Sequence, residues 1–180
     1  MIRHADPQRD GGACATIYAP YVAGGATSFE EVPPDADDFA ERIERVSKVH
    51  PWLVAEREEA VVGFAYATSH RERRAYRWSA ETSVYVAERH QGDGVGRDLY
   101  RALIGLLRDQ GLHVLLAGIT LPNPASVGLH EALGFTQAGV YRQIGYKAGA
   151  WRDVGWWQLL LSDGGGPPAE PLAPPRLDGP

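Results

Sequence analysis

Gln91-Gly92-Asp93-Gly94-Val95-Gly96-Arg97 joins a run of strand character, Thr82 to Val86, to a helix that starts near Val95. Glycines in such a turn let several backbone N–H groups point inward together, and the helix N-terminus adds partial positive charge. The product is a cradle suited to a phosphate or diphosphate. A dinucleotide fingerprint needs GxGxxG, but counting from Gly92 the last position is Arg97 and from Gly94 it is Leu99. No Gly-Lys-Ser/Thr run follows four spacers, so a P-loop fails as well. A tight turn with no ligand and a diphosphate cradle both remain open on these residues alone.

Working outward, helix and strand signals alternate. Ile2–Ala5 reads as a short strand, residues 10–23 as an Ala-rich helix, and Asp35–Val49 as an amphipathic helix with Phe39, Ile43 and Val46 on one face. Trp52–Ala55 and Val61–Tyr66 flank a charged turn as a hairpin, and a further strand runs about Tyr76–Val86. Val95, Leu99, Leu103, Leu106 and Leu107 mark the helix after the glycine turn, ending at Gly111. His113–Thr120 is the nearly continuous apolar run of a strand covered on both faces. Asn123-Pro124 is a cap followed by Pro at the first helical position, opening a short helix to Leu133 that Gly134 closes. Strands about Phe135–Tyr146 and Asp153–Leu161 complete the order β α α β β β α β α β β, a mixed α/β domain on a single sheet.

The chain has 180 residues, the size of one domain, with 44% hydrophobic and 23% charged residues. Its formal charge of −5 argues against electrostatic wrapping of nucleic acid or a membrane surface. The start lacks an apolar leader, and the two long runs without Asp, Glu, Lys or Arg, Gly11–Phe29 and Gly111–His130, are broken by Pro and Gly; a cytoplasmic protein is expected. One cysteine, Cys14, leaves no internal disulfide, and with no HxxxH or HExxH spacing among six histidines no metal site is expected. Residues 164–180 contain six Pro and four Gly and read as a disordered or extended tail, so the folded domain is 1–163.

Gln91, Gly94 and Gly96 match in order the Q/R-x-x-G-x-G/A signature of the GNAT superfamily of N-acetyltransferases. Ala75-Tyr76 with Trp78, Ala80-Glu81, Val84-Tyr85-Val86, Arg89-His90-Gln91, Leu99-Tyr100, Leu121-Pro122-Asn123 and His130 to Gly134 follow in the same order. With Trp52 to Glu56 upstream and Asp153-Val154-Gly155 and Trp157-Gln158-Leu159 downstream, nearly all of residues 1–161 resembles the phosphinothricin N-acetyltransferase branch. The resemblance implies a GNAT fold: a single mixed, mostly antiparallel, twisted sheet flanked by helices. It implies acetyl-CoA as cosubstrate, no metal, a homodimer, and transfer of acetyl to the α-amine of a small amino-acid-like acceptor such as phosphinothricin or methionine sulfoximine or sulfone. Acetylation of a protein N-terminus or another amine, or a non-catalytic acyl-CoA sensor, are the alternatives.

Acyl transfer from a thioester needs a base for the ammonium, a donor for the developing oxyanion and a proton for the leaving thiolate. Glu81 precedes the glycine turn on its strand, where it could be a base or a salt-bridge partner of Arg71, Arg73, Arg74 or Arg77; the resemblance makes it the catalytic glutamate. Tyr100, four residues past Gly96, reads either as a proton donor to the thiolate or as a packed phenol. His130, with Val127 and Leu133 at three residues either side, faces inward; it is a core histidine or, by resemblance, a second base or positioning group. By the same resemblance the coenzyme site comprises Val84, Tyr85 and Val86, the turn residues Gln91, Gly92, Asp93, Gly94, Val95, Gly96 and Arg97, and Asn123. Gly92-Asp93 stands where the family commonly has a basic residue, and a carboxylate beside phosphates is unfavourable unless it turns away, although Arg97 could compensate. On the acceptor side the resemblance places Phe29, Arg71, Arg73, Tyr76, Thr120 and Val154. The run His70-Arg71-Glu72-Arg73-Arg74 is either a solvated loop or a clamp for an anionic amino acid.

Overall fold

The computed structural model describes residues 1–163 and 165–177. Seven strands form one sheet in the order β1-β2-β3-β4-β5-β7-β6. They are β1 (Ile2–His4), β2 (Trp52–Arg57), β3 (Ala60–Ser69), β4 (Ser79–Val86), β5 (Val114–Leu121), β6 (Thr136–Lys147) and β7 (Ala150–Leu160). Among the described residues four α-helices cover it: α1 (Pro7–Ala23), α2 (Ala36–Ser47), α3 (Val95–Asp109) and α4 (Pro124–Ala132). Every strand pairing is antiparallel except β4 with β5. This is the single mixed sheet that the order of patterns predicts, with the mostly antiparallel pairing that the resemblance implies.

Local chemistry sets the helix starts. Asp6 caps α1, its carboxylate accepting from the amides of Gln8 and Arg9, with Pro7 in the first turn. Asp35 and Asp38 cap α2 reciprocally. Helix α3 starts at Gly94, whose φ of 83° lies in the left-handed region that glycine occupies without penalty, and no side chain caps it.

Two cores lie on opposite faces of the sheet. One packs Cys14, Ile17, Phe39 and Ile43 of α1 and α2 on Trp52, Val54 and Phe64. The other packs Leu99, Leu103 and Leu107 of α3 on Leu53, Ala65, Ala80, Leu115 and Ala117. Side chains alternate along a strand, so Ala80, Thr82 and Val84 face α3 while Glu81, Ser83 and Tyr85 face α1 and α2. Buried Asp10 ties the sheet edge to α1: Arg3 donates to both its oxygens at 2.7 Å and also reaches Glu56 at 2.7 Å. Sequence spacing carries no sign of that network, because β1 and β2 meet only through tertiary pairing.

The parallel pair is short. Ser79, Ala80 and Glu81 pair with Val114, Leu115 and Leu116, and beyond them β4 and β5 separate. The Thr82 hydroxyl donates to the Leu116 carbonyl at 3.2 Å at the point of separation. A gap in the middle of the sheet results, with the glycine turn at its far end.

The Pro- and Gly-rich tail has neither helix nor strand over its described residues, 165–177, but it lies along the domain. Trp78 Nε1 donates to the Ala169 carbonyl at 2.7 Å, the Leu172 amide to the Gln110 carbonyl at 2.8 Å, and the Leu177 amide to His4 Nε2 at 3.0 Å. The composition predicts a disordered or extended tail, and the tail's part in these contacts is made by its backbone groups, which composition does not count. Gly164 and residues 178–180, also assigned to that tail, fall outside the described residues.

Candidate active site

The gap between β4 and β5 holds a small cavity of about 60 Å³, lined by Thr82, Val84, Tyr100, Gly118, Asn123 and His130 among others. Its backbone edge follows from the sheet register. The Ala87 amide bonds to the Val62 carbonyl, so odd positions of β4 turn toward β3 and even positions turn toward the gap. Val86 confirms this: its carbonyl accepts from the Tyr21 hydroxyl at 2.6 Å, and its amide donates to the same oxygen at 3.2 Å. Gln91 Nε2 also donates to Tyr21 at 3.0 Å. Of the three strand residues expected to line the coenzyme, Tyr85 therefore turns its backbone toward β3, Val86 is engaged by Tyr21, and Val84 presents its amide and carbonyl to the gap.

At the glycine turn the first intrahelical bond runs from the Asp98 amide to the Gly94 carbonyl, at 3.0 Å. The amides of Val95, Gly96 and Arg97 belong to the first turn, where helix geometry supplies no intrahelical acceptor, and no side chain among the described residues caps them. Gly92, with φ of 85°, precedes them. A methyl at Gly96 would touch Leu129, Val86 and Val84 at 3.5–3.8 Å, so this glycine sits where α3, α4 and β4 converge. Asp93 does not point an unopposed charge at the turn. Arg57 of β2 donates to its carboxylate at 3.0 Å and to its carbonyl at 3.2 Å. The compensating cation is Arg57, 36 residues away in sequence, while Arg97 stays exposed beside Asp98.

Tyr100 and His130 form one unit. The phenol donates to His130 Nε2 at 2.9 Å, and His130 Nδ1–H donates to the Ser126 carbonyl at 2.7 Å. Both are buried, 1% and 3% exposed. Burial raises the Tyr100 phenol above its ordinary value, with the Thr82 hydroxyl acting the other way. Burial lowers His130, opposed by its bond to Ser126. At neutral pH the pair is a protonated phenol and a neutral imidazole. Asn123 caps α4 through Oδ1, which accepts from the Ser126 amide at 3.1 Å, and its Nδ2 has no partner among the described residues. Capping and ligand binding are thus compatible at this residue.

Glu81 lies across the sheet from that pair. It contacts none of the four arginines; instead His70 Nδ1 donates to Oε1 at 2.7 Å. His70, Arg71, Glu72, Arg73 and Tyr76 line an open hollow of about 630 Å³ on this side. The basic run divides there. Arg74 and Arg77 reach Glu170 of the tail at 3.3 and 2.7 Å, and Arg71 and Arg73 have no acidic partner among the described residues. Thr120 and Val154, paired across β5 and β7, share the Glu81 face. Phe29 reaches that side from the loop after α1, its ring lying where a Gly145 side chain would be. Trp156 packs against Gly118 and His70, and its Nε1 is buried without a partner among the described residues.

Sequence reasoning took His70 only as part of the basic run, not as a partner of Glu81, and did not single out Tyr21, Arg57 or Trp156. The antiparallel register of β3 and β4, with Thr68 opposite Glu81, could have flagged His70. The other three come from elements distant in sequence. Among the described residues no group of three or more His, Cys, Asp or Glu side chains has metal-binding geometry. No described helix is long and apolar enough to cross a membrane.

The sheet is parted between two parallel strands, with the glycine turn at one end of the gap and a carboxylate and a phenol–imidazole pair on its two faces. A family model described as an acetyltransferase (GNAT) domain matches residues 5–156, and the chain belongs to the GNAT acetyltransferases, in the branch of the phosphinothricin N-acetyltransferases. It is accordingly an N-acetyltransferase. It is 43% identical over 149 residues to a phosphinothricin N-acetyltransferase of Streptomyces viridochromogenes, covering 83% of this chain and 81% of that one. It is 38% identical over 169 residues to an L-methionine sulfoximine/L-methionine sulfone acetyltransferase of Salmonella typhimurium, covering 93% and 98%. A crystal structure of a phosphinothricin acetyltransferase from Sinorhizobium meliloti, in complex with acetyl-CoA, superposes with a TM-score of 0.90 at 34% identity, covering 97% and 95%.

Proposed function

We propose that the protein transfers acetyl from acetyl-CoA to the α-amine of a small amino-acid-like acceptor of the phosphinothricin or methionine sulfoximine/sulfone type, by direct attack in a ternary complex in the cytoplasm. The observation that carries this reading is the division of acid–base groups between the two faces of the opened sheet: Glu81 on one, Tyr100–His130 on the other. The diphosphate fits the free amides of Val95, Gly96 and Arg97, with Gln91 to Gly94 shaping the turn. The pantetheine arm lies along the gap against Val84 and Asn123, and the Val84 amide polarises the thioester carbonyl.

The acceptor enters from the Glu81 side, its anionic groups met by Arg71 and Arg73 and its body by Phe29, Tyr76, Thr120 and Val154. Glu81 takes a proton from the ammonium, directly or through water. The amine nitrogen then bonds to the thioester carbon, the C–S bond breaks, and sulfur leaves with the electron pair. Tyr100, kept protonated by burial, turns its one hydrogen from His130 Nε2 to that sulfur and gives it up as a proton; the second proton that nitrogen sheds as the amide forms passes to water, from which the phenol is restored. His130 Nε2 holds the phenol in place before the coenzyme binds and accepts from it again after the thiol leaves.

The decisive experiment follows thiol release from acetyl-CoA over phosphinothricin, methionine sulfoximine, methionine sulfone, common amino acids and spermidine. Saturable turnover on the first three is expected, and turnover restricted to spermidine would sink the acceptor assignment. Glu81→Gln should lower kcat by about 10²–10³; full turnover at all pH values would remove Glu81 as base. A homodimer belongs to the same proposal. The exposed Tyr141, Ile144, Tyr146 and Trp151 of the β6–β7 hairpin offer it an apolar surface, and a monomer in sedimentation at micromolar concentration would exclude it.

A further inference from the structure

We infer that His70 is a positioning residue for Glu81, holding one carboxylate oxygen so that the other faces the acceptor; the inference rests on Glu81 acting as the base. His70 follows directly on β3, its amide donating to the Ser79 carbonyl at 3.4 Å, and the register that sets Thr68 opposite Glu81 carries its ring to the glutamate. Nδ1 donates to Oε1 at 2.7 Å, and Oε2 has no partner among the described residues. The two oxygens of the carboxylate are therefore inequivalent: one is occupied and one is available.

The ring itself is braced. Tyr76 meets it edge-on with centroids 5.7 Å apart and an interplanar angle of 75°, and Trp156 does so at 6.2 Å and 73°. Among the described side chains, His70 is the one that hydrogen-bonds Glu81, since Arg74 and Arg77 are drawn away to Glu170 and Arg71 and Arg73 border the hollow. A free glutamate has three rotatable side-chain bonds, and a base must lie within about 3 Å of the proton it removes. A donor fixed by two aromatic edges removes most of that freedom before the acceptor binds. Imidazole donates from Nδ1 both as the Nδ1–H tautomer and as imidazolium, so the hold does not depend on the charge of His70.

The consequence falls on the chemical step rather than on coenzyme binding. His70→Phe keeps a flat ring between Tyr76 and Trp156 but removes the donor. It should lower kcat about 10- to 100-fold. KM for acetyl-CoA should stay within about twofold. His70→Asn places an amide donor near the position of Nδ1 and should recover most of the loss. Because His70 acts through Glu81, the double variant His70→Phe/Glu81→Gln should turn over no more slowly than Glu81→Gln alone. Thermal unfolding of each variant shows that it is folded, and His70→Asn with the double variant carries the test should His70→Phe fail to fold. Wild-type kcat in His70→Phe, or losses in the double variant that multiply, would overturn the positioning role while leaving Glu81 as base. Full turnover in Glu81→Gln would instead remove the base, and this inference with it.

Discussion

Tyr100 and His130 are buried together, and burial acts on them in opposite directions: it holds the phenol protonated and the imidazole uncharged. A buried phenol with one acceptor loses a partner if that acceptor goes, which costs about 1–3 kcal/mol for the group left unsatisfied. His130→Phe should therefore cost stability as well as rate, whereas Tyr100→Phe removes the donor and leaves Nε2 as a lone acceptor. In the proposed mechanism Tyr100→Phe lowers kcat about 10- to 100-fold with little change in either KM. Steady-state kinetics on the acceptor that turns over best would check this, and a change confined to KM would show that the phenol binds rather than protonates. Both residues were candidates from the sequence, but as separate groups. The 2.9 Å bond between them joins positions 30 residues apart and appears only when α3 and α4 pack on one face.

The glycine turn and α3 act as one element. Gly94 occupies the left-handed region at φ 83°, and a side chain there would meet the Arg97 guanidinium at 3.2 Å. Placing alanine in that conformation costs about 1–2 kcal/mol, and the turn would shift to relieve it, misdirecting the amides of Val95, Gly96 and Arg97. Gly94→Ala should weaken acetyl-CoA binding about tenfold, which calorimetry reads as 1.4 kcal/mol. Unchanged affinity would mean that the turn is not the diphosphate cradle. The sequence showed this element clearly, because glycine spacing and the helix pattern are local. It could not show how Asp93 is neutralised, since Arg57 arrives from β2.

For the molecule as a whole, three histidines of the fold, His4, His50 and His130, are lowered from the ordinary value of 6.5, each mainly by burial. The unfolded chain binds more protons than the fold once pH drops below 6.5, so stability is flat above that value and declines as pH falls through it. Tm should hold between pH 8 and 7 and fall between 6.5 and 5.5, at roughly 3 °C for each kcal/mol lost. His50→Gln should flatten part of that decline in a calorimetric pH series; an unchanged slope would place the cause elsewhere. His4 adds a link to the tail, because its Nε2 accepts from the Leu177 amide and protonation removes that acceptor. Deleting residues 164–180 should therefore lower Tm more at pH 7.5 than at pH 5.5.

The order of elements was legible in the sequence because each signal is local: 3.6-residue spacing in α2 and α3, the Asp35 and Asn123 caps, the apolar run of β5, the glycines before Val95. Glu81 and Tyr100 were candidates by their place relative to the turn, and His130 and Asn123 by the family resemblance. What tertiary structure alone decided was which groups meet. The split of β4 from β5 after Glu81 and Leu116 opened the gap between Glu81 on one face of the sheet and the phenol–imidazole pair on the other. The same folding gave Glu81 His70 rather than an arginine as its partner and occupied Val86 with Tyr21. Periodicity records which way a residue faces along its own element; hydrogen-bond register and packing between elements determine what it faces.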